Sequence, residues 1–155
     1  MNGLGTLALA IRPDDWNFPL FVHVLGAMVL MGAMLAGGGA LALAHGEVRL
    51  QRVGYRSLLL VALPAWIVMR VGAEWIYSKE GWDAAASEPD WIGIGYIVAD
   101  GTGLFLVVSL IVGGIGLRRR RDGGGNGLLR TAAVLSIVAL AALVVATWAM
   151  GGKPG

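Results

Sequence analysis

Cysteine is absent from the 155 residues, and with it go disulfides, thiolate nucleophiles and iron–sulfur ligation. Charge is scarce too: 14% of residues are charged against 57% hydrophobic, and the mean hydropathy of +0.72 is far above that of a soluble domain. No nucleophile–base combination, paired-carboxylate geometry or phosphate loop can be read. Gly93-Ile94-Gly95 and Gly101-Thr102-Gly103 fall in an apolar helical run without the strand a nucleotide site requires. The chain therefore reads as a non-enzyme rather than an enzyme, and no catalytic residue is assigned.

What the sequence does contain is hydrophobic length. A hydrocarbon layer about 30 Å thick is crossed by roughly 20 apolar residues in a helix, and four such stretches occur, at 18–44, 57–77, 91–117 and 131–150. They predict an all-α integral membrane four-helix bundle occupying residues 1–155 as one transmembrane domain. The lead-in has a short apolar run, residues 4–11, with no basic residue before it, and reads as a surface-lying segment rather than a cleaved signal peptide.

The loops orient the helices. Arg49, Arg52 and Arg56 lie between the first and second stretches, and Arg118, Arg119, Arg120, Arg121 and Arg130 between the third and fourth. Basic residues mark the cytoplasmic side. The second connection carries Glu80, Asp83, Glu88 and Asp90 against Lys79, and the lead-in carries Asp14 and Asp15 against Arg12, so both termini are expected outside. Trp16, Trp75, Tyr77, Trp82, Trp91 and Trp148 fall at the same outer boundary, as an interfacial belt does, whereas Tyr55 marks the inner one. The isoelectric point near 9.4 is accounted for by these boundary arginines, and no nucleic-acid partner is expected. Arg118 to Arg121 read as a topological anchor rather than a lipid-headgroup site, and the glycines at 123–127 as a flexible inner loop.

Asp15-Trp16 before the first helix is echoed by Asp90-Trp91 before the third; Arg56-Ser57 at the second is echoed by Arg130-Thr131 at the fourth, and Lys79 by Lys153. Two parallel helical hairpins would produce this echo; so would chance recurrence of good N-caps. For close packing in lipid, small residues are needed: Gly32 and Ala36 followed by Gly37, Gly38 and Gly39, then Gly113, Gly114 and Gly116, then Ala142 and Ala146.

Four polar residues fall in the outer half of the membrane. At about 1.5 Å per residue, Arg70 stands roughly 21 Å from Arg56, Asp100 roughly 27 Å from Arg118 and His23 roughly 33 Å from His45. Glu74 follows Arg70 by one turn on the same face. A charge this deep costs about 2.5 to 3.5 kcal/mol near the bilayer centre, so pairing or water is expected around Arg70. Glu74 and Asp100 can neutralise it as a structural lock. Alternatively, the group lines an outward cavity in which Arg70 binds an anionic or carbonyl group and His23, Glu74 or Asp100 moves protons. Trp66, one turn below Arg70, would form the floor. Pro64, which removes a hydrogen bond to the Leu60 carbonyl, is expected to bend the helix beneath the cluster.

His23 and His45 flank one helix at opposite ends, so a single subunit cannot present two imidazoles to one haem. A pairing of His23 with Met28, Met31, Met69 or Met150 would suit copper(I) or haem iron, but methionines in apolar helices are ordinarily packing residues. No cofactor or metal ligand is assigned.

The stretch Phe21-Val22-His23-Val24-Leu25-Gly26-Ala27-Met28-Val29-Leu30-Met31-Gly32 resembles the opening helix of an uncharacterised group of small four-helix bacterial integral membrane proteins, distantly similar to the copper-resistance D membrane proteins. Arg70-Val71-Gly72-Ala73-Glu74-Trp75 and Trp91-Ile92-Gly93-Ile94-Gly95 also look like segments of hypothetical actinobacterial membrane proteins. The resemblance implies four membrane helices; this chain lacks the further membrane histidines that a copper or haem role would want. The expected function is that of a multi-pass bacterial inner-membrane subunit or accessory protein that binds itself, as a homo-oligomer, or a membrane partner within the lipid bilayer. The alternatives are a small transporter or ligand-binding protein acting through Arg70, Glu74, Asp100 and His23, and a haem- or copper-binding membrane protein.

Overall fold

The structure, a computed structural model, describes residues 14–85 and 89–152. Expectations placed on residues 4–11, Arg12, Glu88 and Lys153, and on the side chains of Asp14, Asp15, Trp16 and Asp83, lie outside what is described. Helix α1 runs Asp14–Leu43, α2 Val48–Lys79, α3 Asp90–Arg119 and α4 Asn126–Gly152. No strand occurs among the described residues, and the architecture is an all-α four-helix bundle. All four helices are long and apolar enough to cross a membrane.

The outward surface supports the same conclusion. Met28, Leu35, Leu60, Ile97 and Leu104 are all about two-thirds exposed or more, and the most apolar windows of the helices bury at most 33% of their residues inside the bundle. Such an apolar exterior aggregates in water and is solvated by lipid.

Short connections make antiparallel neighbours. Apart from Arg70, the described arginines collect at one end of the bundle, the arginine end, while Trp75, Tyr77, Trp82, Trp91 and Trp148 collect at the other, the tryptophan end. Helix α1 packs on α2 and α4, and α3 packs mainly on α4, whereas the seam between α2 and α3 is thinly made. The core is apolar, with Leu30, Met34, Leu58, Leu106 and Leu129 almost wholly enclosed. In lipid their contribution is dispersion and fit rather than exclusion of water.

Two of the expected helix starts shift by several residues. The second helix begins at Val48 rather than 57, because the loss of hydropathy before Ser57 marks the edge of the apolar span, not the end of the helix. Arg49, Arg52 and Arg56 share an exposed face of this extension, and Gln51 and Gly54 are buried on the other. Helix α4 likewise starts at Asn126 rather than 131, so Arg56-Ser57 and Arg130-Thr131 lie within helices instead of opening them. The glycine run is a tight turn: Gly123 and Gly125 adopt φ of 80° and 89°, a left-handed conformation that costs glycine little.

Part of the expected small-residue packing is present, with Gly37, Gly38, Gly113 and Gly116 close against neighbouring helices, but Gly32 and Ala36 take no part in it. Gly32 has nothing within 4 Å of where a Cβ would stand, and both it and Ala36 point outward. The crossing of α1 and α2 uses Gly26 and Gly72 instead. A Cβ on Gly26 would meet the Met69 backbone nitrogen at 2.6 Å, and one on Gly72 the His23 nitrogen at 2.7 Å. Lower down, Gly37 and Gly54 face each other's carbonyl oxygens just as closely.

Between these two crossings, α2 contains a π turn, Leu58–Ala62. The Leu63 N–H donates to the Leu58 carbonyl, five residues back, immediately ahead of Pro64, which has no N–H to give. The proline is thus accommodated by a wider turn. Ser57 Oγ donates to the Ala33 carbonyl at 3.1 Å, tying this part of α2 to α1.

Candidate functional site

Helix α2 presents two working faces in its last four turns. Met69 and Gly72 meet α1, while Trp66, Arg70 and Glu74, spaced one turn apart, face the thin seam with α3. Across that seam α3 supplies Tyr96 and Asp100, again one turn apart. The Arg70 guanidinium joins the two helices: its Nε donates to Asp100 Oδ1 at 2.8 Å, and its Nη1 donates to Glu74 Oε1. Its carbon lies 4.5 Å from the centre of the Tyr96 ring, close enough for cation–π attraction. Tyr96 in turn meets Tyr77 edge to face at 5.8 Å.

Trp66 lies beneath this group. Its Nε1 donates to the Ala99 carbonyl at 2.8 Å, and its ring lies directly against Gly103, where a Cβ would collide with it. Both contacts cross from α2 to α3, so Trp66 and Arg70 between them carry much of the polar and aromatic joining of this seam.

The depth of the cluster matters to its energetics. Asp100 stands about 15 Å along α3 from Asp90, in a helix about 45 Å long. A hydrocarbon layer about 30 Å thick centred on the bundle therefore encloses it by several ångströms. Arg70 keeps 22% of its side chain exposed, Glu74 54% and Asp100 59%. The guanidinium is held inward between two carboxylates that face outward, and the three groups carry a net charge of −1 when ionised.

Beside Arg70 is a partly open cavity of about 430 Å³ lined by all four helices at the tryptophan end. Its wall is largely apolar, and its polar members include His23, Arg70, Tyr77, Glu80, Tyr96 and Thr147. Glu74 and Asp100 do not line it. His23 joins the cavity but not the ion cluster: its Nδ1 is 2.9 Å from the Met69 carbonyl oxygen, which requires the proton on Nδ1 for a hydrogen bond. Thr147 Oγ1 is turned back onto the Leu143 carbonyl at 2.8 Å. At the rim, Trp82 Nε1 donates to Glu80 Oε2 at 2.7 Å.

Met28, Met31, Met69 and Met150 also line this cavity together with His23. Sulfur and imidazole donors thus share one space, although among the described residues no group of three or more His, Asp or Glu side chains could hold a metal ion.

Sequence spacing alone brings Arg70, Glu74 and Asp100 together and puts Trp66 below them, as the structure has it. It does not bring out Tyr96, whose signal is its position one turn from Asp100 on the same face. Nor does it bring out the cavity, whose walls come from four helices. Compared with known proteins, the chain matches no protein-family model, no curated protein and no solved structure.

Proposed function

We propose that this multi-pass membrane protein is a non-enzymatic ligand-binding component of a bacterial inner membrane, taking an apolar molecule with a neutral hydrogen-bond acceptor into the cavity at its tryptophan end. The observation that carries this reading is the placement of Arg70, which lines the cavity while its two carboxylate partners do not and are more than half exposed. Two of its N–H donors are engaged by Asp100 and Glu74, and a guanidinium has further donors to offer. The surplus negative charge of the cluster disfavours an anion and favours a carbonyl, as in a quinone, ketone or ester. Apolar walls with a few placed polar groups are the usual makeup of a small-molecule site. With the arginine end on the cytoplasmic side, the cavity belongs to the outer leaflet and both termini are outside.

Trp82 and Trp91 line the cavity, so a bound quinone should quench tryptophan fluorescence. With decylubiquinone added to the detergent-purified protein, saturable quenching is expected, and it should be lost in Ala73→Phe, which fills the cavity from α2. Quenching that persists unchanged in Ala73→Phe would refute the assignment. A visible haem band or stoichiometric copper in the purified protein would instead favour the His23 and methionine set as a cofactor site.

A second reading is supported by the outward carboxylates. Glu74 and Asp100 are more than half exposed at a depth where lipid surrounds the bundle, and their surplus charge suits a neighbouring helix with a Lys or Arg at that level. In this reading the chain is an accessory subunit.

A further inference from the structure

The same seam between α2 and α3 opens again at the arginine end. There a crevice of about 500 Å³ is lined by Leu110, Ile111, Gly114 and Ile115 of α3 and by Tyr55 of α2, with Arg118 at its mouth. The Tyr55 ring lies over Gly113 and Gly114, and a Cβ on Gly114 would stand 3.0 Å from its hydroxyl oxygen. Gly114 forms part of the crevice floor, where a side chain would take up space, while Gly113 lets the Tyr55 ring lie close to α3. Ile111 and Ile115 are 57% and 43% exposed, so the trough faces the surrounding lipid.

Around its mouth the charge is one-sided. Arg49, Arg52, Arg56, Arg118, Arg119, Arg120, Arg121 and Arg130 share this end of the bundle with only Glu47 and Asp122. Both described ion pairs belong to Arg70 at the opposite end. Arg120 is committed to the Gly46 carbonyl, to which its Nη2 donates at 2.6 Å, whereas Arg118 is exposed at the head of the apolar trough. An unpaired guanidinium directly above an acyl-sized groove between two membrane helices matches both parts of a phospholipid.

We propose that this crevice binds an anionic phospholipid, with an acyl chain along Leu110, Ile111 and Ile115 and the phosphate on Arg118. A zwitterionic headgroup fits less well, because its own cation would enter an arginine-rich field. Inorganic phosphate lacks the chain that the trough would bury. The arginine at 118 thus has a specific role beyond the orienting one it shares with its neighbours.

The delipidated full-length protein is titrated with phosphatidylglycerol, phosphatidylcholine or inorganic phosphate, and bound lipid is read by native mass spectrometry with melting temperature alongside. Phosphatidylglycerol should bind at least tenfold more tightly than phosphatidylcholine, and inorganic phosphate should have no effect. Arg118→Gln and Ile111→Trp should each weaken phosphatidylglycerol binding about tenfold, while Arg121→Gln, which removes the same charge away from the crevice, should change it less than twofold. Equal losses in Arg118→Gln and Arg121→Gln would reduce the effect to general charge and overturn the site. Unaltered binding in Ile111→Trp, or equal binding of inorganic phosphate, would overturn it as well.

Discussion

Replacing Arg70 by Leu should destabilise the bundle mainly through what it leaves behind. Asp100 and Glu74 both bond to the one guanidinium, so its removal leaves two carboxylates within about 6 Å of each other. At an effective dielectric constant near 20, their repulsion is about 3 kcal/mol. Both side chains are more than half exposed, which permits some relief by reorientation, and a net loss of about 2 kcal/mol is expected. For a chain of this size that corresponds to a fall in melting temperature of roughly 4–8 °C, measurable for the detergent-purified protein and by equilibrium unfolding in mixed micelles. Removing the carboxylates as well, in Arg70→Leu/Glu74→Leu/Asp100→Asn, should recover most of the loss. If Arg70→Leu melts with the wild type, or if the triple variant is no more stable than the single one, mutual neutralisation is not what holds α2 to α3.

Gly72→Val should be among the most damaging single changes, costing about 2–3 kcal/mol, because its Cβ would meet the His23 backbone at 2.7 Å and a helix axis must move to admit it. Gly32→Ala, at a site with open space, should match or slightly exceed the wild type in the same thermal assay. Trp66→Phe keeps most of the ring over Gly103 but loses the bond to the Ala99 carbonyl, and a loss of about 1 kcal/mol in mixed-micelle unfolding is expected. Gly103→Ala should do more harm than Trp66→Phe, since it displaces the whole indole and breaks the same bond; the reverse order would mean that the ring is not seated as described.

The number of helices and the ion cluster are both legible in the sequence, for related reasons. Crossing a bilayer requires a length of apolar residues that is visible in hydropathy, and counting along such helices puts Arg70, Glu74 and Asp100 at one level. Helix limits are less legible. Backbone hydrogen bonding continues past the apolar span, as the arginine-bearing start of α2 illustrates, so Val48 rather than Ser57 begins that helix. Least legible is rotation about each helix axis. Gly32 with Ala36 and Gly26 with Gly72 are equally plausible as small-residue contacts in a list of letters, yet only the second pair meets a neighbouring backbone. The cavity depends on the rotation of four helices at once. For that reason the place of Tyr96 over Arg70, and the single space that His23 shares with the four methionines, emerge only in three dimensions, although the sequence already offers His23 and the methionines as partners.

The π turn at Leu58–Ala62 makes α2 tolerant of a length change in one place and intolerant of it elsewhere. A turn closed over five residues holds one residue more than an α-turn, so the helix on either side keeps its phase although the chain is longer. Deleting Leu60, which is 66% exposed, should therefore convert the stretch to regular α-helix while Gly54 still faces Gly37 and Gly72 still faces His23. Deleting Val68 instead would swing the lower turns by about 100° relative to the upper ones, separating the two glycine crossings and turning one face or the other into lipid. The surplus residue is a phase adjuster, through which the same helix meets α1 correctly at both ends.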